Sequence, residues 1–307
     1  MVKIAVAGIG AVGGYFGGLL AKRYAGSADV QVYFIARGEN ERTIRQRGLR
    51  IETPENNWTA HPALCTSNCA EIGTVDYLLI STKNYSLPGL LAQLRPCIKA
   101  ETILLPLLNG VEAADLLQQQ FPENEVWKGC VYLVARLTEP GLVTDSGSIS
   151  QLHFGSNTGT KYKLEHFGTL LKDAGIDARL SADIESTTWE KYLFIATMAT
   201  LTAYLDKNFG QVREDPQAVA LFDALLNEAA AVAAKRGVQF KEDIKAKTKA
   251  KLMAARYEST SSMHSDFKKG GPTELESITG YMIREANRLG IEVPTFTKVY
   301  QALKLRA

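Results

Sequence analysis

The first thirteen residues restrict this chain more than any other stretch. Val2–Ala7 is a short apolar run, and Gly8-Ile9-Gly10-Ala11-Val12-Gly13 follows it directly. A helix-forming segment, Ala11–Tyr24, begins inside that glycine pattern. Strand, Gly-x-Gly-x-x-Gly and helix in this order is the setting in which the glycines have separate tasks. The first permits a tight turn, the second lets a pyrophosphate approach the backbone, and the third lets helix and strand pack closely. The helix start adds unpaired N–H groups and partial positive charge. A glycine-rich turn without a ligand is the alternative; the flanking strand and helix favour an adenine dinucleotide.

The alternation continues downstream. Val30–Ile35, Val75–Ser81 and Thr102–Leu108 are continuous apolar runs, which suit parallel strands covered on both faces. Leu87–Leu94 and Ala113–Gln120 read as crossover helices, so the pattern predicts an α/β, doubly wound sheet. Val126–Arg136 reads as a further strand. Leu142–Phe154 reads as a hairpin or meander with Asp145-Ser146-Gly147-Ser148 in its middle, and Lys163–Ala174 as a helix ended by Gly175. Strand signals stop near residue 182. Helices are expected at 184–205, 215–236, 241–256 and 272–289, with a short one after Pro294. Asp215-Pro216, Gly237, Gly270-Gly271-Pro272 and Gly290 separate them. The expected organisation is a dinucleotide-binding domain, 1–182, and an all-helical domain, 183–307. The length of 307 residues agrees with two domains of about 150 each.

Composition narrows the function. A formal charge of +2 provides no basic field for nucleic acid. No run is expected to cross a bilayer, which takes about 18–20 apolar residues, and Tyr192–Leu205 reads as a buried core helix. The N-terminus enters a strand without a signal-peptide pattern. Cys65, Cys69, Cys97 and Cys130 do not form a disulfide framework, and Cys65 with Cys69 lacks a second ligand pair for a metal. A cytoplasmic enzyme is expected, without metal, nucleic acid or membrane as partners.

Arg37 stands where the second strand ends, the place at which an acidic residue would favour NAD. A guanidinium there suits a 2′-phosphate, with Glu39 two residues on as an opposing charge, so NADPH is the expected cofactor. Lys83, in Ser81-Thr82-Lys83-Asn84, and Asn109, in Leu108-Asn109-Gly110, follow strands at the carboxyl edge of the sheet. Ordinary turn chemistry explains both equally well. Lys191 opens the uncharged stretch Tyr192–Leu205. Partial desolvation there would favour proton donation; a lysine reaching back to water is the alternative. Ser259-Thr260-Ser261-Ser262 could bind a carboxylate or cap a helix, and Glu274 could meet a ligand or serve the helix dipole.

Together these residues resemble the ketopantoate reductase family over nearly the whole chain. The match includes Gly8–Gly13, Arg37, Ser81-Thr82-Lys83, Asn109-Gly110 and Trp189-Glu190-Lys191. It continues with Ser261-Ser262-Met263 and Asp266, Thr273-Glu274 and Gly290-Ile291-Glu292-Val293-Pro294. The resemblance implies a Rossmann-type domain followed by an all-helical one. It implies Lys191 as general acid and Gly8, Ile9, Gly10, Ala11, Val12, Gly13, Arg37, Lys83, Asn109, Ala135 and Glu274 as cofactor contacts. Ser262 with Ser259, beside Lys191 and Asn109, is implied to bind a 2-oxo acid.

The resemblance departs at the pocket. Family asparagines four and eight residues after the lysine are here Ile195 and Ala199. A third falls near Phe209, beside Asn208, and another is Ser259. The implied reaction is NADPH-dependent reduction of ketopantoate to pantoate. A paralogous reductase of another 2-oxo acid and a non-catalytic NADPH-binding regulator are the alternatives; Lys191, Ser262 and Glu274 weigh against the regulator. The sequence does not settle the oligomeric state; a homodimer is the assembly considered.

Overall fold

The structure, a computed structural model, describes residues 1–306, apart from the side chain of Ser148. The first half runs β1 (Val2–Ala7), α1 (Ala11–Arg23), β2 (Val30–Ile35), α2 (Gly38–Arg47), β3 (Leu49–Glu52), β4 (Asn57–Ala60) and β5 (Leu64–Thr66). Then come β6 (Tyr77–Ile80), α3 (Leu87–Leu94), β7 (Ile103–Pro106), α4 (Glu112–Gln120), β8 (Lys128–Glu139), β9 (Leu142–Gly155), α5 (Lys161–Asp173) and β10 (Asp177–Leu180). Seven helices follow: α6 (Ile184–Leu205), α7 (Phe209–Glu214), α8 (Pro216–Lys235), α9 (Ile244–Ala254), α10 (Ser262–Lys269), α11 (Tyr281–Leu289) and α12 (Pro294–Lys304). Contacts divide the chain into Met1–Leu108 with Ala113–Ile184, and Asn109–Glu112 with Glu185–Ala307.

The first unit contains the expected parallel sheet, in the order β5-β2-β1-β6-β7. Its strands are largely apolar because both faces are covered, with Lys3 and Gln31 near the starts of β1 and β2. Ile4 and Val6 pack toward Phe16 and Leu20 of α1, while Ala5 and Ala7 pack toward Leu87, Leu90 and Leu117 of α3 and α4. The order reverses between β1 and β6. Loops leaving these neighbouring strands at their carboxyl ends therefore open a crevice, where doubly wound sheets bind ligands.

A second sheet has the order β10-β9-β3-β4, with β8 paired to β9; strands were expected at β8 and β9, but β3, β4 and β10 were not. α1 lies between the two sheets, and its glycines let it do so. A methyl on Gly14 would come within 2.6 Å of Val143 on β9, and one on Gly18 within 2.6 Å of Ile51 on β3. Tyr77, Trp127, Phe154 and Phe167 extend this layer, with the rings of Tyr77 and Phe167 stacked at 4.5 Å.

The expected turn at Asp145–Ser148 is corrected. β9 is one strand of 14 residues, and the β8–β9 hairpin turns at Pro140-Gly141, with Gly141 at φ +76°. Asp145–Ser148 lies at a bulge, because Leu133 faces Ser150 whereas Ala135 faces Asp145.

In the second unit α6 is the core helix. Trp189, Tyr192, Leu193, Ala196, Met198 and Leu201 are buried on several of its faces. α8, 20 residues, is long and apolar enough by length and composition alone to cross a membrane. Its Phe222, Leu225, Leu226, Ala229 and Val232 are instead buried in the helical core. Glu228 on the same helix accepts the Thr295 and Phe296 N–H groups at the start of α12. The short helices α7 and α10 were not expected. The segment expected as a helix from 272 begins instead with a π-helical turn, Glu276–Gly280, ahead of α11.

Candidate active site

At the nucleotide end, β1 runs straight into the glycine turn. Gly8 has φ +91°, a region that side chains disfavour. A methyl on Gly13 would lie 2.2 Å from the Gly8 carbonyl oxygen and 2.3 Å from Ser81 Oγ, so only glycine lets α1 start there. A methyl on Gly10 would meet nothing within 4 Å, leaving open space beside the N-cap of α1. Neither a capping side chain nor an acidic residue competes for the first amides of that helix. Such an end, with Ala11, Val12 and Gly13 as its first turn, accommodates phosphate. Ser81 Oγ donates to the Gly8 carbonyl at 3.2 Å, bringing the loops after β1 and β6 together. The neighbouring Thr82 Oγ1 is buried and lacks a hydrogen-bond partner. An orphaned hydroxyl, an open Gly10 and an uncapped helix start all fit a dinucleotide.

Arg37 is exposed and takes the N-cap position of α2, directly after β2. Its neighbour Glu39 is paired with Arg42, which draws the opposing charge onto the helix surface. Lys83 is exposed in the loop after β6, and Ala135 is half-buried on β8 beside the bulge. Asn40, which sequence reading did not single out, bridges two backbones here. Its Nδ2 donates to the Ile9 carbonyl at 2.7 Å, and its Oδ1 accepts from Gly141 N at 2.7 Å. No sequence pattern marks this bond, because its partners are main-chain groups 31 and 101 residues away.

The second unit includes Asn109 as well as Lys191. Lys191, half-buried near the start of α6, donates from Nζ to Asn109 Oδ1 at 3.2 Å. The residues around this pair are held firmly. Arg284 bonds Glu112 at 2.7 Å. The buried Tyr192 hydroxyl donates to the Ile278 carbonyl at 2.7 Å, and burial raises its pKa well above the ordinary tyrosine value. Glu190 is occupied by Lys247 at 3.0 Å and Lys251 at 2.7 Å from α9. Burial opposes its ionisation, but these two ammonium groups hold its carboxyl below the usual range. The acid next to Lys191 in sequence is thus committed to α9.

Glu274 is buried just before the π-helical turn, and its carbonyl accepts from Ile278 N at 2.9 Å. The hydroxyl cluster lies toward the other end of α6. Ser261 is the N-cap of α10, its Oγ accepting from His264 N at 3.1 Å and pairing with Thr202 Oγ1 at 2.8 Å. Ser262 is exposed at the first helical position, and Ser259 is half-buried, its backbone carbonyl accepting from Phe209 N at 2.8 Å. His264, 2% exposed, bonds Thr260 Oγ1 at 2.6 Å and Asp206 Oδ1 at 2.7 Å. Lys191 and Asn109 are therefore brought into contact, while Ser259 and Ser262 flank the cap of α10, which Ser261 ties to Thr202 of α6. The Asp206–His264–Thr260 chain carries no sequence signal, because Asp206 lies 58 residues from His264.

Comparison with known proteins identifies the family. The family model for ketopantoate reductase PanE/ApbA matches residues 4–159, and that for its C-terminal domain matches residues 183–307. The crystal structure of 2-dehydropantoate 2-reductase from Porphyromonas gingivalis superimposes with a TM-score of 0.86 and 35% identity, covering 98% of this chain and 99% of that one. The oxidoreductase YkpB of Bacillus subtilis is 27% identical over 99% of this chain and 98% of its own length. The 2-dehydropantoate 2-reductase of a Nostoc species is 26% identical over 98% of this chain and 94% of its own. With its parallel sheet, glycine turn and helical second unit, the chain belongs to the ketopantoate reductase family of oxidoreductases.

Proposed function

We propose that this protein is an NADPH-dependent reductase that converts 2-dehydropantoate to pantoate, a step toward pantothenate and coenzyme A. The observation that carries the reading is the Lys191–Asn109 pair, a half-buried ammonium held at 3.2 Å by an amide oxygen. When bound, NADPH supplies a hydride to C2 of the oxo acid. The glycine turn Gly8–Gly13 receives the pyrophosphate and Arg37 the 2′-phosphate. Lys83, Asn109, Ala135 and Glu274 complete the cofactor contacts. Ser262, with Ser259, anchors the substrate carboxylate.

Negative charge grows on the carbonyl oxygen as C2 is reduced. Lys191 stabilises that charge and donates the proton to that oxygen. Asn109 keeps Nζ oriented while this happens. Four free, buried cysteines accord with a cytoplasmic location.

A second reading, reduction of a different 2-oxo acid, draws on one observation. Ile195 and Ala199 follow Lys191 at spacings of four and eight, along the same face of α6. Neither can hydrogen-bond a substrate hydroxyl, which favours an oxo acid with an apolar tail.

Single-turnover hydride transfer by Lys191→Ala tests the shared mechanism. Under saturating cofactor and substrate the rate should fall toward the upper part of the ~10²–10⁴-fold range of general acid catalysis. NADPH affinity should change little, and Lys191→Arg should stay well below wild type. A rate within a few-fold of wild type would make Lys191 a structural lysine.

A further inference from the structure

We propose that Asn40 is a positioning residue for the dinucleotide pyrophosphate, acting through the Gly10 amide. The inference rests on the reading that a dinucleotide occupies the glycine turn; it does not depend on the identity of the substrate.

The Ile9 carbonyl and the Gly10 N–H belong to one planar peptide and point in opposite directions. Asn40 Nδ2 holds that carbonyl at 2.7 Å. The N–H of Gly10 is therefore turned away from α2, and the space beside Gly10 is open. The carboxamide cannot serve equally well in the flipped orientation. Gly141 N is a donor only, so Oδ1 must face it at 2.7 Å, leaving Nδ2 for Ile9. The β8–β9 turn thereby selects which end of Asn40 meets the glycine turn.

Arg37 and Asn40 also share the first turn of α2, three residues apart. One helix turn thus bears directly on the 2′-phosphate and, through a backbone peptide, on the pyrophosphate. A bond that aims the N–H before the cofactor arrives removes ordering cost from binding.

The test is calorimetric titration of the full chain with three probes: NADPH, ADP-ribose and 2′-AMP. ADP-ribose carries the pyrophosphate without the nicotinamide, and 2′-AMP carries a 2′-phosphate without the pyrophosphate. Asn40→Ala should weaken NADPH and ADP-ribose about tenfold, the worth of one misaimed hydrogen bond to a charged group. Binding of 2′-AMP should stay within about twofold. Asn40→Leu, uncharged and close to asparagine in shape, should repeat the pattern and serves if the alanine variant does not fold. NADPH and ADP-ribose affinities within twofold of wild type would overturn the proposal. An equal loss for 2′-AMP would overturn it too, by assigning Asn40 to the general stability of α2. Wild-type protein that binds none of the probes would overturn the dinucleotide reading, and this inference with it.

Discussion

At the scale of single residues, the proposed cofactor preference turns on Arg37. Its position after β2 follows from the strand pattern, and its exposure at the start of α2 agrees with a role toward a ligand. Arg37→Ala should weaken NADPH about tenfold or more and leave NADH nearly unchanged, as expected for a charge-assisted contact. Equal losses for the two cofactors in binding titrations would remove Arg37 from the 2′-phosphate. Ser262 permits a cleaner test than its sequence context offered, because the cap of α10 is Ser261. Ser262→Ala should raise KM for the oxo acid with little change in cofactor affinity or melting temperature. Ser261→Ala should lower stability by about 1 kcal/mol, the usual cost of losing an N-cap. If Ser262→Ala lowered stability and left KM alone, its role would be structural. Lys191 and Asn109 were each visible as candidates, but their contact spans 82 residues and was not. Asn40 was hidden for the same reason: only the fold brings main-chain partners to it.

Elements were legible in proportion to how local their cause is. β6 and β7 are uninterrupted apolar runs, β1 and β2 are broken only by Lys3 and Gln31, and α1 is announced by its glycines. β3 and β4 have only four residues each, with exposed Arg50 and Asn57, and β3 gains its partner on β9 from long range: Arg50–Glu52 against Leu142–Thr144. Leu49-Arg50-Ile51-Glu52 does alternate apolar and polar, but four residues are too few for the period to stand out. Asp145–Ser148 has the composition of a hairpin turn, yet the hairpin forms at Pro140-Gly141 and leaves those residues as a bulge. The helical core contains a polar network that contributes to acid stability. Glu285, on α11, is 5% exposed and pairs with Arg236 and Arg288. Chiefly through hydrogen bonds from Arg288, then Arg236, its pKa is held down to about 2 from 4.5. Folding therefore gains from this group above its unfolded value, and the gain disappears as pH falls from about 4.5 through about 2. With Arg288 largely exposed, the contribution is on the order of 2 kcal/mol. Denaturant titrations should show wild type losing its advantage over Glu285→Gln across that window. Parallel curves down to the lower limit would exclude the effect.

At the scale of the molecule, the sequence anticipated a doubly wound sheet followed by helices, and both are present. Short connecting segments were harder to place. Asn109–Glu112 follows a strand of the first unit but packs with the second, so Asn109 meets the lysine of α6. Family membership covers both halves of the chain, whereas Ile195 and Ala199 bear on which oxo acid is preferred. The decisive measurement is NADPH absorbance followed with ketopantoate and a panel of other 2-oxo acids, beside a direct NADPH titration and a folded Lys191→Ala control. The expected result is NADPH consumption with ketopantoate or a close 2-oxo acid, and little or none in Lys191→Ala. Tight NADPH binding without turnover of any acid, or undiminished turnover in Lys191→Ala, would contradict it.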